Sequence, residues 1–321
     1  MVKKIGLVTA GGDAPGMNAA IRSVVRSAIY MGLEVIGFER GYAGLIHKQW
    51  RPMTMRSVSG IINLGGTILR TVRCAEMETR EGIERAAENL KDLNVDGLVA
   101  IGGDGTFRGA VELQRVSGVS VIGIPATIDN DVAGTDSTIG FDTAVNTAVS
   151  AIDKIRDTAT SHERIFVVEV MGRRRGFLAL EVGLAGGAEL ILIPEVKFDL
   201  DEICERLRMG LHEGKTSQII VAAEGVGSTS EIANYIAKET QYQVRLTVLG
   251  YVQRGGSPSA VSRILACEFG HLAVQLLLNG EKERLVRIKD GKIGSMSLYE
   301  STRQVKEIDL EKYRLAHILS L

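Results

Sequence analysis

Cysteine is scarce in this chain of 321 residues, and the three present, Cys74, Cys204 and Cys267, are scattered and odd in number. They frame no disulfide scaffold, and with no CxxC pair they offer no zinc site either. A reducing, cytoplasmic compartment is expected. Charge of one sign is also missing: 38 Lys and Arg against 39 Asp and Glu leave no global basic field of the kind that binds nucleic acid. Any anion must therefore be recognised locally. Long hydrophobic runs are absent too. The N-terminal KIGLVTA is too short for a signal segment and runs straight into a glycine turn, while the apolar region near 177–194 is interrupted by Glu181 and Glu189. A soluble protein is expected. With five prolines and no Pro-rich or Ser-rich tract, composition marks no domain boundary. Neither GxGxxG nor GxxxxGK[ST] occurs, which removes the main support for a nicotinamide dehydrogenase or a Walker A site.

What remains is an ordinary globular composition, 45% apolar and 24% charged, at a length suited to two α/β units or one large one with a deep cleft. Runs rich in Val and Ile recur at 4–10, 33–38, 97–102, 120–126, 165–171, 190–194, 218–225 and 245–252, and read as strands buried on both faces. Helix-period segments lie between them. Met17, Ile21, Val24, Val25 and Ala28 share one face, as do Phe141, Val145, Val149, Ile152 and Ile155. Alternation of strand and helix predicts mainly parallel sheets with crossover helices, and the long helix from about 141 is the natural divider. Asp290-Gly291 between alternating residues of 284–297 predicts a hairpin.

Three loops carry the chemistry, each following a predicted strand. Gly11-Gly12-Asp13-Ala14-Pro15-Gly16 opens a helix, so backbone N–H groups and a helix N-terminus are offered to an anion such as phosphate. Gly102-Gly103-Asp104-Gly105-Thr106 repeats the arrangement ahead of a helical run over 107–115. Glycines let the backbone approach a polyphosphate, and a carboxylate among them makes sense when a divalent cation offsets its repulsion, which marks Asp104 for Mg²⁺, through water. Each turn alone is equally compatible with a tight turn that binds nothing, and Asp104 with a capping role. The third loop, Ala126-Thr127-Ile128-Asp129-Asn130-Asp131, sets two carboxylates two residues apart. They read either as a base plus a charge near a metal, or as an Asx-turn pair closing a surface loop. Arginines at strand ends, Arg164, Arg173 to Arg175, Arg245 and Arg254, suit a small dianionic ligand or plain solvation. Glu224 ends a strand, where it can accept from sugar hydroxyls or form a salt bridge.

Taken in order, GGDAPGMNAA, GGTILRTVRC, IGGDGT, TIDND, TIGFDTA, DTATSHER, EVMGR, GLAGGAE, VAAEGVG and LGYVQRGGSP make the chain resemble, over nearly its whole length, the ATP-dependent 6-phosphofructokinases of the short bacterial type. The resemblance implies two similar three-layer α/β domains with mainly parallel sheets: residues 1–140 plus 254–303 for ATP, and 141–253 plus 304–321 for the sugar phosphate. It implies transfer of the γ-phosphoryl of ATP, with Mg²⁺, to the 1-hydroxyl of D-fructose 6-phosphate, the committed step of glycolysis, in a cytoplasmic homotetramer under allosteric control. On that resemblance Asp129 is the base, Thr127 and Arg173 steady the transferring group, and Gly12 and Arg73 contribute near the β- and γ-phosphates. The nucleotide lies over Tyr42, Cys74, Gly103, Gly105, Thr106 and Gly109, with Asp104 and Asp131 on the metal side. The sugar phosphate is held by Thr127, Ile128, Asp129, Met171, Gly172, Arg173, Glu224, Tyr251 and Arg254, with Arg164 and Arg245 supplied by a neighbouring subunit. Effector binding is expected at Arg22, Arg26, Arg156, Gly187, Glu189 and Lys215.

Donor choice rests on two positions. Pyrophosphate-dependent relatives carry Asp where this chain has Gly105 and Lys where it has Ala126, so ATP is expected. The chain departs from the family pattern at Tyr251, where His is usual; a phenol still donates one hydrogen bond but carries no positive charge. It departs again at Glu213 and Thr216, where basic residues are common, and charge reversal there should weaken nucleotide diphosphate or phosphoenolpyruvate binding. The alternatives are a kinase of the same scaffold for another donor or another sugar phosphate such as tagatose 6-phosphate, and a non-catalytic nucleotide sensor.

Overall fold

A computed structural model describes residues 2–320. The chain first builds β1 (Lys4–Thr9), α1 (Met17–Tyr30), β2 (Glu34–Phe38), α2 (Tyr42–Ile46), β3 (Trp50–Pro52), α3 (Arg80–Asp92), β4 (Gly97–Gly102), α4 (Asp104–Ser117) and β5 (Ser120–Pro125). It continues through α5 (Phe141–His162), β6 (Ile165–Val170), α6 (Phe177–Ala185), β7 (Leu190–Leu192), α7 (Leu200–His212), β8 (Gln218–Ala223), α8 (Thr229–Thr240) and β9 (Val244–Val248). It closes with α9 (Ala260–Leu278), β10 (Arg284–Lys289), β11 (Lys292–Ser297), α10 (Leu298–Arg303) and α11 (Leu310–Leu319). Two compact units result. Unit 1 comprises Met1–Thr143 and Arg254–Lys306, and unit 2 Ala144–Gln253 and Glu307–Leu321, so the chain divides within α5.

Unit 1 is a seven-stranded sheet in the order β11-β10-β5-β4-β1-β2-β3. Its centre is parallel, and the outermost pairs, β10 with β11 and β2 with β3, are antiparallel. The central strands are buried on both faces, which is why they read as continuous Val and Ile runs. One face packs Val8, Phe38, Leu98 and Ala100 under α2, α3 and α4 through Leu45, Leu90, Phe107 and Ala110. α1 and α9 pack together, closely enough that a methyl at Gly270 would strike Ser23, whose Oγ donates to the Cys267 carbonyl at 2.5 Å. By length and composition alone α9 could cross a membrane, but half of it is buried, with Phe269, Ala273 and Leu277 in the core, as a core helix requires. The expected hairpin is β10–β11, paired from Arg284↔Ser297 to Lys289↔Lys292.

Unit 2 is a four-stranded sheet, β7-β8-β6-β9, parallel throughout. Ile165, Val167, Ile220 and Ala222 pack under α7 and α8 through Ile203, Leu207, Ile232 and Ile236. α6 has almost no polar face and is buried accordingly. Two local readings needed correction, and one strand went unread. The strand read at 245–252 ends at Val248, because Gly250 turns to φ 53° and starts a short 3₁₀ turn over Gly250–Gln253. The run at 190–194 is a strand only to Leu192. Trp50–Pro52, three residues pairing with β2, carries too short a pattern to read.

One loop contact of unit 1 yields a pH prediction. Asp136 accepts from Lys289 Nζ at 2.9 Å and from the Asp290 N–H at 2.7 Å, tying the loop after β5 to the hairpin. Partial burial pushes its carboxyl up, but the Lys289 hydrogen bond, the Asp290 N–H and the charges of Lys289 and Lys306 outweigh this and hold it below its ordinary value. A carboxyl depressed on folding stabilises above its unfolded pKa, about 3.9, and that contribution disappears as pH falls through the lower folded value. Wild type should therefore melt above Asp136→Asn at pH 7, with the gap closing below about pH 4. A gap that stays constant from pH 7 to pH 2 in thermal melts would contradict this origin.

Candidate active site

Strand order alone brings the three loops together. β5, β4 and β1 are consecutive neighbours, with Thr9↔Ile101 and Gly102↔Pro125 in register, so the loops after them emerge side by side. β1 is also where the order turns: β2 lies to one side of it and β4 to the other. The carboxyl ends of strands at such a reversal leave the crevice where α/β sheets bind ligands.

The first two turns are bolted to each other. Ala10 N–H donates to the Ile101 carbonyl at 3.0 Å, and Thr106 Oγ1 returns a bond to the Ala10 carbonyl at 2.9 Å. Tyr42, buried, donates its hydroxyl to the Thr106 carbonyl at 2.7 Å, and burial holds that phenol far above its ordinary pKa, so it stays a donor. A methyl at Gly102 would meet both Thr106 and the Ala10 carbonyl, which explains why only glycine fits. A methyl at Gly12 would instead push aside the Arg254 guanidinium, which lies directly over it with Nη1 donating to the Asp13 carbonyl at 3.1 Å. Gly16 ends this loop at φ 110° as the cap of α1, with no acidic residue in the first turn. The bare N–H groups there favour an anion.

Asp104 is not in a free turn as the sequence suggests. It is the first residue of α4, and the helix starts there rather than at 107. Its carboxylate pairs with Arg108 one turn on. Next to it Gly105 has open space on the side where a side chain would project, whereas Gly109 is hemmed in by Tyr42 and Met77. Arg73 is exposed, and burial pushes the neighbouring Cys74 thiol up. Among the described residues no group of three or more His, Cys, Asp or Glu forms a metal cage. Mg²⁺ arriving on a polyphosphate would find Asp104 at the helix start, since this ion keeps its waters and takes one or two carboxylates plus phosphate oxygens.

The third loop is not a surface turn. Ile128, Asp129 and Asn130 are buried, Asp129 to 2% exposure, while Thr127 and Asp131 are part-exposed. The Asp129 N–H donates to Thr127 Oγ1 at 3.2 Å, Thr138 Oγ1 donates to the Thr127 carbonyl at 2.6 Å, and Asn130 takes φ 50°. A buried carboxylate on a loop so fully tied down is held in one position.

On unit 2, Met171, Gly172, Arg173 and Glu224 come together at the carboxyl ends of β6 and β8. Gly172 at φ 134° and Arg173 at φ 54° form a tight turn whose Arg173 N–H donates to the Glu224 carboxylate. The fully buried Gln253 accepts from the Met171 N–H at 3.0 Å. Tyr251, two residues earlier, is 82% exposed. Arg164 and Arg245 are not in this group. Arg164 precedes β6 and binds Gln243 at 2.9 Å, and Arg245 pairs with Phe166 near the start of β9, so both lie at the other end of the strands, roughly 15–20 Å away at ~3.3 Å per residue. Of the effector set, Arg156 donates to the Gly186 and Gly187 carbonyls at 2.7 Å each and faces Glu189 at 3.5 Å, whereas Lys215 binds the Ser320 carbonyl at 2.8 Å. Arg22 and Arg26 are on α1 of unit 1. Sequence reasoning missed Arg108 and Gln253. The first had a signal, four residues from Asp104 on one helix; the second had none.

Two adjacent glycine turns, a carboxylate at a helix start and a buried carboxylate on the neighbouring loop give this α/β protein a set of groups suited to polyphosphate. Residues 4–277 match the phosphofructokinase family model, and the chain belongs to that family. It is 54% identical to the ATP-dependent 6-phosphofructokinase of Clostridioides difficile and 52% identical to that of Halothermothrix orenii, with full coverage of both chains in each case. Among solved structures it superposes on phosphofructokinase from Saccharomyces cerevisiae with a TM-score of 0.88 at 37% identity, covering 94% of this chain and 45% of that one.

Proposed function

We propose that this chain transfers the γ-phosphoryl group of MgATP to the 1-hydroxyl of D-fructose 6-phosphate, giving ADP and fructose 1,6-bisphosphate, a step of glycolysis. The observation that carries the reading is the convergence of the three loops at the adjacent ends of β1, β4 and β5, with Asp129 buried in the third. Unit 1 is then the nucleotide domain: the turns at Gly12 and Gly103, with Arg73, Thr106 and Gly109, hold the phosphates and ribose side. Asp104, leaving Arg108, and Asp131 stand on the side of the ion, which neutralises charge on the transferring group. Asp129 takes the hydroxyl proton while Thr127 and Arg173 steady the phosphoryl group, since such transfers ask mainly for positioning, charge and a proton acceptor. Unit 2 is the sugar-phosphate domain, where the Glu224 carboxylate fixes the Arg173 turn and can accept from sugar hydroxyls.

Arg164 and Arg245 fit as donors to the sugar phosphate of a neighbouring copy, in a homotetramer, because the same subunit's Arg173 turn lies at the other end of its strands. The effector set on unit 2 is Arg156, Gly187, Glu189 and Lys215, joined by Arg22 and Arg26. Glu213 in place of a cation weakens it for anions.

Initial rates with each donor test the reading. ATP with fructose 6-phosphate should give ADP and the bisphosphate, and pyrophosphate should not. Gly105→Asp should raise the KM for ATP at least tenfold with an unchanged melting temperature. The position has room for a side chain and lies in a helix first turn, where a carboxylate is welcome, but it sets a second negative charge beside Asp104. Faster turnover with pyrophosphate than with ATP in the wild type would overturn the donor, and ADP without sugar bisphosphate would overturn the acceptor.

A further inference from the structure

Unit 2 holds a half-open cavity of about 230 Å³ lined by no residue proposed for catalysis or for the sugar phosphate and by one of the effector set, Glu189. It lies between β7, the first turns of α7 and one face of α11. Tyr313, Ala316, His317 and Ser320 follow helical spacing along that face, and the Tyr313 hydroxyl donates to the Ile191 carbonyl at 3.1 Å, setting α11 beside the edge strand. The volume is just below the ~300–1,000 Å³ of common small-molecule sites, enough for a ring-sized body.

The lining is divided chemically. Ile191, Leu192, Ile203 and Ala316 are buried and give an apolar floor. At the polar end stands Arg206, part-buried on α7. Its Nη1 donates to His317 Nδ1 at 2.6 Å and its Nη2 to Ser320 Oγ at 2.5 Å. Both partners are uncharged. A guanidinium always donates, so His317 Nδ1 accepts and its proton is on Nε2; burial, then the Arg206 charge, pushes the imidazole pKa down and keeps it neutral. Lys197 stands exposed at the mouth.

Of the acids of the lining, Glu189 acts on Arg206 through its charge, but none hydrogen-bonds to it. Glu189 is engaged by Arg156 at 3.5 Å and by the Ile219 N–H at 2.5 Å, while Asp199 caps α7 by accepting from the Asp201 and Glu202 N–H groups at 2.7 and 3.3 Å. Glu202 is exposed to solvent. A half-desolvated cation hydrogen-bonded only to neutral groups retains donors for an anion, and in such a setting an anion bond is about twice as strong as a neutral one.

We infer that this cavity is a binding site for a small organic anion, a carboxylate or a phosphate monoester on a ring-sized apolar body, with the anionic group on Arg206 and Lys197 and the body on Ile203 and Ala316. The site adjoins the effector set, sharing Glu189 with it and linked through Ser320, which accepts from Lys215, but its cation is Arg206 rather than Arg156. It does not depend on the catalytic reading.

Phenyl phosphate, benzoate and neutral benzyl alcohol are the probes, titrated by NMR into the full chain with saturating ADP and fructose 6-phosphate to occupy other anion sites. Saturable millimolar or tighter binding of an anion is expected, with no saturable binding of benzyl alcohol. The stronger of the two anions identifies the headgroup. Arg206→Gln should weaken binding at least tenfold, and Lys197→Gln, at an exposed position that the fold does not need, about two- to threefold. Lys238→Gln, at an exposed position on α8 outside the cavity, should leave it unchanged. Absence of saturable binding to wild type, equal binding to wild type and both cavity variants, or loss in Lys238→Gln alone would each overturn the site.

Discussion

Asp129→Asn should lower turnover by about 10²- to 10⁴-fold while fructose 6-phosphate still binds within about twofold. The substitution keeps the shape of a side chain that is 2% exposed in a loop held by Thr127 Oγ1 and by Thr138. What it removes is the ability to accept a proton, because an amide nitrogen has no basicity to offer an alcohol. Single-turnover kinetics with MgATP isolate the chemical step, and calorimetric titration with the sugar phosphate measures binding separately. Turnover equal to wild type would remove Asp129 as the base. An equal loss of binding and turnover would instead make it a positioning group for the sugar.

Gly12→Ala is expected to cost about 10- to 10²-fold in kcat/KM, the range of one charge-assisted hydrogen bond at roughly 1.5–3 kcal/mol. The added methyl falls where the Arg254 guanidinium lies, so the arginine must leave the Asp13 carbonyl and the loop it covers. Gly12 itself is not at a positive φ, so the alanine brings no backbone strain and the melting temperature should change little. A double-mutant cycle decides whether the effect passes through the arginine. In an Arg254→Ala background Gly12→Ala should lose most of its effect, because the group it displaces is already gone. Fully additive losses would show that the methyl acts on the phosphates directly and that Arg254 is a bystander.

Much of this was legible along the chain. The buried strands announced themselves as Val and Ile runs, and α1 and α5 by their periodicity, because hydrophobic spacing is local information. The glycine turns were legible for the same reason: a turn needing close backbone approach leaves few residues to choose from. Helix α4 was placed three residues late, because Asp104 and Gly105 are poor helix formers by propensity and the fold nevertheless starts the helix at Asp104. Arg108 was overlooked as a consequence, since its pairing with Asp104 follows only once both are on one helix.

The sequence by itself determined which residues could handle phosphate: the two glycine turns, the carboxylates at 104, 129 and 131, and the arginines, with the motif order naming the family. Residue type and short spacing suffice for that, because each loop is built from neighbours in the chain. Tertiary structure alone decided which of them meet. The order β5-β4-β1 sets the three loops of unit 1 edge to edge, buries Asp129 and lays Arg254, more than two hundred residues away, over Gly12. In unit 2 it gathers Arg173 with Glu224 and leaves Arg164 and Arg245 at the far end of the strands. Strand pairing between distant segments produces these neighbourhoods, and no local pattern encodes it.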